Sequence, residues 1–153
     1  MTLKPDRKIL NNGTDVHWYL NETATRGCIL THLTGGSGAA MDDDNAVVQV
    51  ATSTGETPVG LLLNDMVNLD LTRQHLNYYK DEMQLGGKVT VLTHGWVVTN
   101  SILGSATPSA GDKAYFLATG LLTNVQPGTQ ASIGKWLSSK DEDGYAKVEI
   151  NIP

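Results

Sequence analysis

From Tyr145 to Ile152 apolar and polar side chains alternate without a break, with Ala146, Val148, Ile150 and Ile152 in one set and Tyr145, Lys147, Glu149 and Asn151 in the other. Successive side chains of an extended chain point to opposite faces, so this run makes a strand with one face buried and one face wet. Upstream, residues 133–138 read as its partner. Lys140-Asp141-Glu142-Asp143-Gly144 supplies the polar turn between them, with a glycine free to take positive φ. A C-terminal hairpin is the first expectation.

The same period recurs upstream. Residues 114–118 and 121–123 flank Thr119-Gly120, a short turn signal between two strand-like runs. Residues 88–100 are rich in Val and Thr with Gly95 in the middle, which predicts a kinked strand or two short ones. Residues 46–52 and 59–63 bracket Ser53-Thr54-Gly55-Glu56-Thr57-Pro58 and read as a further hairpin. Pro58-Val59-Gly60-Leu61-Leu62-Leu63 and Ser132-Ile133-Gly134-Lys135-Trp136-Leu137 share an apolar-Gly-x-apolar-Leu shape. A glycine inside a strand marks a barrel corner or a close backbone approach, so the echo hints at repeated barrel construction. Leu71, Leu76, Tyr78, Tyr79 and Met83 keep no single helical stripe, which leaves a short helix and a long loop equally open. Many short strands with turn signals between them predict an all-β fold, a small barrel or sandwich.

A chain of 153 residues fits one domain able to bury a core without a metal or a disulfide. Residues 1–14 carry only Leu3, Ile9 and Leu10 as large apolar residues after the initiator, and they are expected to be a flexible N-terminal arm on a β-rich domain of residues 15–153. Gly35-Gly36-Ser37-Gly38 and Asp42-Asp43-Asp44 read as a flexible acidic loop. The single cysteine, Cys28, lies in the apolar run Cys28-Ile29-Leu30 and is expected to be a small buried hydrophobe. Met1 to Asn12 lacks the apolar core of a secretory signal, and no stretch nears the ~18 apolar residues of a membrane span. These features predict a soluble protein made in a cytoplasm, where the sequons at Asn12 and Asn21 carry no meaning. Net charge is −5 and the 11 Lys and Arg residues are dispersed, which disfavours direct nucleic-acid binding.

Catalytic and ligand-binding chemistry leaves little trace. The glycine cluster at 35–38 lacks the Lys-Ser/Thr of a phosphate loop. An EF-hand counted from Asp42 needs glycine at Val47 and glutamate at Ser53. His17, His32, His75 and His94 are scattered, with no pair at a ligand spacing, and no Gly-x-Ser-x-Gly elbow occurs. No catalytic, cofactor-binding or metal residue is assigned, and no cofactor is expected. Trp18-Tyr19 and Tyr78-Tyr79 are adjacent pairs, so on a strand one ring of each points away from the core. Outward rings suit a protein interface or a sugar platform. The candidate contact residues are therefore Leu3, Ile9, Leu10, Trp18, Tyr19, Tyr78 and Tyr79, and the rival reading is a carbohydrate-binding β-module using exposed Trp and Tyr.

From about residue 25 onward the order of segments resembles the head decoration, or capsid cement, proteins of tailed bacteriophages. The resemblance is carried by Pro58-Val59-Gly60-Leu61-Leu62-Leu63-Asn64-Asp65-Met66-Val67-Asn68-Leu69-Asp70-Leu71-Thr72-Arg73-Gln74-His75 and by Gly86-Gly87-Lys88-Val89. Further along it is carried by Ala110-Gly111-Asp112-Lys113-Ala114-Tyr115, Ile133-Gly134 and the turn at 140–145. It implies a small β-barrel or β-tulip-like fold on the outside of an expanded capsid, holding neighbouring major capsid protein subunits together, with no catalytic residue to carry over. The axes of an icosahedral shell favour matching oligomers, a trimer first and a dimer second.

Overall fold

The computed structural model describes residues 3–9, 14–33, 47–63, 82–83 and 85–153. Among them there is no helix. The strands are β1 (Leu3–Ile9), β2 (Thr14–Leu20), β3 (Ala24–Thr25), β4 (Ile29–His32), β5 (Val47–Val50), β6 (Pro58–Leu63) and β7 (Glu82–Met83). They are followed by β8 (Lys88–Leu92), β9 (His94–Thr99), β10 (Lys113–Phe116), β11 (Leu122–Thr123), β12 (Gly134–Trp136) and β13 (Ala146–Asn151). The chain is all-β, as its alternation predicts.

Five strands close a barrel in the order β2-β5-β4-β6-β8, and six form an open sheet in the order β1-β9-β13-β12-β10-β11, while β3 and β7 make a small ribbon. A closed ring with an odd number of strands cannot alternate direction all the way round. One parallel pair is therefore forced, and it falls between β2 and β5. One passage between the two sheets is a nearly continuous run. β8 belongs to the barrel and β9 to the open sheet, and the break comes at Thr93, two residues before Gly95. Thr93 turns its carbonyl to the amide of Ile152 at 2.9 Å, which ties the joint to the end of β13.

Two hydrophobic clusters explain the apolar runs. Leu20, Leu30, Val48, Leu62, Val89 and Val91 come from all five barrel strands and fill the barrel. Ile29, Leu61, Leu63 and Leu92 lie on the opposite faces of those strands and pack with Val97, Phe116, Trp136, Val148 and Ile150 of the open sheet. The wall formed by β4, β6 and β8 is thus covered on both sides, and a strand buried on both faces reads as a continuous apolar run rather than an alternation. Val59 to Leu63 is buried throughout. By contrast, β13 has the burial alternation of a half-wet strand.

The C-terminal hairpin is present, with Gly134 opposite Ile150 and Trp136 opposite Val148, and Gly144 in its turn takes φ +81°. The hairpin at 113–123 is present too, with Tyr115 opposite Thr123. Gly120 at its tip takes φ +71° and accepts the amide of Ile29 at 2.9 Å, so this turn docks on the barrel wall. The hairpin expected between residues 46–52 and 59–63 is corrected: both strands exist, but β4 lies between them and pairs with each. Ile29, Leu30 and Thr31 are fully buried, and a strand with no wet face belongs in the interior of a sheet, not at its edge.

The echo between Pro58–Leu63 and residues 132–137 has a common physical cause. A Cβ on Gly60 meets the carbonyl oxygen of Leu92 at 2.6 Å, and one on Gly134 meets that of Glu149 at 1.8 Å. Both glycines admit a neighbouring backbone where a side chain does not fit, one in the closed barrel and one in the open sheet.

The N-terminal segment differs from a free arm. Residues 3–9 form β1, antiparallel to β9, with Leu3 opposite Thr99 and Ile9 opposite Gly95. Leu3 is 3% exposed in the shared core, and this anchor, with the ladder to β9, offsets the ordering entropy that so polar a segment cannot meet alone. The acidic glycine loop and nearly all of the 71–83 window lie outside the described residues; within that window only Glu82–Met83 is described, paired with Ala24–Thr25.

Candidate functional site

The residues with chemistry to offer stand apart. Cys28 is buried beside a recess of about 460 Å³ that also touches Thr23, Asn100, Ser101 and Thr119. Burial, far more than the nearby Glu22, pushes its thiol up to about 12, so it stays protonated and unreactive at neutral pH. His94 lies within 3.2 Å of the Thr93 hydroxyl, and His32 meets Trp18 edge to face at 5.1 Å between ring centroids. Neither stands with two further ligating groups, and among the described residues no three His, Cys, Asp or Glu side chains gather.

A larger crevice of about 570 Å³ opens between the 54–58 turn and the 127–133 loop, lined by Phe116, Gln130, Ile133 and Ile152. Among the described residues Glu56 is the one ionisable side chain on its walls. Partial burial works to raise the Glu56 pKa, but hydrogen bonds outweigh it and hold the carboxyl below its ordinary value. They come from the hydroxyls of Thr52 and Thr31, the latter at 2.7 Å, and from the amide of Thr52 at 3.0 Å. These bonds occupy both carboxylate oxygens and tie the turn to β4 through Thr31. Gln130 closes the crevice floor, accepting the amide of Phe116 at 3.1 Å and donating to the carbonyl of Thr54 at 2.9 Å. A carboxylate so occupied is a structural brace.

The aromatic candidates divide as adjacent strand residues must. Trp18 packs against the barrel-filling cluster, and its ring edge meets His32. Tyr19 faces the other way and carries the Lys88 ammonium 5.3 Å from its ring centroid. Leu3 lies in the shared core, and the backbone of Ile9 pairs with Gly95. Leu10, Tyr78 and Tyr79 fall outside the described residues. The structure brings Trp18 and Tyr19 onto one strand and places Leu3 far along a different sheet. Of the three tryptophans, Trp136 is fully buried, Trp18 is half-buried in the barrel, and Trp96 has the Lys147 ammonium 3.6 Å from its ring centroid.

One surface escaped the sequence reading. On the face of the open sheet turned away from the core, Trp96 stands opposite Glu149, Glu149 opposite Lys135, and Lys135 opposite Lys113. Lys135 and Glu149 form an ion pair at 3.2 Å with side chains 57% and 41% exposed. Parity alone puts Lys147 and Glu149 on the wet side of β13, but only the strand order puts Trp96, Lys135 and Lys113 beside them.

A protein-family model described as "Structural cement protein (E217 gp24/Pam3 gp6)" matches residues 14–151, which spans the barrel and nearly all of the open sheet. No curated protein gives a significant match. The match covers far more than half of the chain, and the chain belongs to the structural cement protein family of bacteriophages.

Proposed function

We propose that the chain seats on the outside of the expanded phage head, bridges neighbouring major capsid protein subunits and stabilises the lattice without catalysing a reaction. The family match over residues 14–151 carries this reading. The physical basis is linkage: a ligand that binds only the mature lattice stabilises it by its differential affinity, and many identical copies act together. On this reading the protein is made in the host cytoplasm, residues 15–153 act as one unit, and neither nucleic acid nor membrane is contacted. Copies associate about a symmetry axis of the shell, a trimer before a dimer. Ile9, Leu10, Trp18, Tyr19, Tyr78 and Tyr79 are the contact residues proposed for the coat or for a neighbouring copy. The carbohydrate alternative has less support, since the family match points to a structural role.

The test is to add purified protein to expanded heads that lack it, then image them by electron microscopy and follow their thermal disruption. Symmetric external density and a raised disruption temperature are expected. Bare heads, or density with unchanged disruption, refute the proposal.

A further inference from the structure

We infer that the outer face of the open sheet, centred on Trp96, Lys135 and Lys113, is a docking surface for an acidic protein surface, namely a carboxylate-bearing patch of the coat lattice. This deepens the cement reading and rests on it. The face is identified by the burial alternation of its central strands: Val97, Thr99, Val148 and Ile150 go to the core, while His94, Trp96, Val98, Lys147 and Glu149 stay at least partly in water.

Charge is the first argument. The chain holds 16 Asp and Glu against 11 Lys and Arg, yet among the described side chains this face carries Lys113, Lys135 and Lys147 against Glu149. The second argument is that the fold gains little from this arrangement. Lys113 and Lys135 are directly opposed across β10 and β12, and like charges in that position are destabilising. Glu149 answers only Lys135, through an exposed pair of small worth, and among the described residues Lys113 has no carboxylate partner. A partner carboxylate placed between the two lysines turns this repulsion into attraction, so the face is complementary to an anion it does not itself supply.

The third argument is Trp96. It is a large half-buried ring beside the charged row, held in place by the Lys147 ammonium over its face. A preordered tryptophan rimmed by cations has the composition of an interface hot spot. Duplex nucleic acid is the other polyanion, but its phosphates run as an extended track, and here Glu149 lies within the row between Trp96 and Lys135.

The experiment measures binding of the intact protein to expanded, cement-free heads of its phage, with K113E/K135E, K113Q/K135Q and W96A compared to wild type. Each variant is first checked for the wild-type melting transition; the four lysine substitutions are at exposed positions, so at least the glutamine pair keeps the test alive if another variant misfolds. Affinity is expected to fall about tenfold or more for the double reversal and by less for the neutral pair, and wild-type binding is expected to weaken steeply with salt. Wild-type-like affinity in a folded K113E/K135E protein overturns this inference while leaving the cement reading intact. Binding of a short DNA duplex by wild type that vanishes in the variant also overturns it. If folded wild type does not bind heads at all, both fall together.

Discussion

Single residues in this protein act mainly through the room they leave. Gly134 gives way to the Glu149 carbonyl, which a Cβ meets at 1.8 Å, whereas a Cβ on Gly55 meets nothing within 4 Å. Gly134→Ala therefore forces β12 away from β13 and is expected to lower stability by about 2 kcal/mol or more, while Gly55→Ala stays within about 0.5 kcal/mol. Urea unfolding of both variants checks the contrast, and equal midpoints refute it. Cys28 acts through its proton. Its pKa is raised from 9.0 to about 12 in the fold, so between those values the unfolded chain ionises while the folded one does not. The unfolded state then binds fewer protons, and stability falls as pH rises, with this group contributing up to about 1.4 kcal/mol per pH unit. The contribution is intact below pH 9.0. Comparing wild type with Cys28→Ala over that range isolates the term from lysine titration, and parallel curves would sink it. The opposite sign holds at Glu56, whose lowered pKa contributes stability above its ordinary value of 4.5 and loses it as pH falls. Glu56→Gln is expected to flatten the acid limb of the stability curve.

At the scale of elements, legibility followed burial. Strands with one wet face announced themselves: β13 alternates in sequence and in burial alike, and its turn was readable from Gly144. Strands buried on both faces did not. β4 offers only Cys28-Ile29-Leu30 as an apolar run, and nothing in those residues says that it separates β5 from β6. Local turn chemistry favours pairing neighbours, and the cost of closing a longer loop grows slowly enough that a better-buried order prevails. The candidate contacts fared the same way. Period alone puts Trp18 and Tyr19 on opposite faces, but no local signal marks Leu3 as core, because its partner surface is assembled from strands far along the chain. Trp96, Lys113 and Lys135 were invisible as a group, since they lie on three strands whose adjacency is a long-range fact. Trp136 shows what such an element costs to disturb. It is fully buried between the sheet and the barrel wall, and Trp136→Ala is expected to cost about 3 to 5 kcal/mol, measured as a shift in denaturant midpoint.

The molecule as a whole is a barrel and a sheet that share a wall, and that arrangement bears on how a cement protein resists force. The barrel interior holds its own cluster, but the sheet has none apart from the wall: Leu61, Leu63 and Leu92 of the barrel and Val148, Ile150 and Trp136 of the sheet are one cluster. The Thr93 joint and the Gly120 carbonyl, which accepts the Ile29 amide, add backbone ties across the same boundary. β1 is an outer strand of the open sheet, and its sequence runs Lys4-Pro5-Asp6-Arg7-Lys8, a composition of the kind that keeps edge strands from pairing with strangers. Deleting residues 1–9 strips this guard and bares β9, so we expect a less stable protein that self-associates in light scattering, an outcome a detachable arm would not give. The shared cluster makes a stronger claim. Because unfolding either unit exposes apolar surface of the other, the two should melt together, and a cut made on the barrel side should be felt equally in the sheet. Leu61→Ala is expected to lower stability by about 2 to 5 kcal/mol while keeping one transition. Hydrogen exchange at the amides of Val91 in the barrel and Val148 in the sheet should report the same opening energy before and after the substitution. If Val91 loses protection while Val148 keeps its own, the wall joins two independent units, and load on one would not be shared by the other.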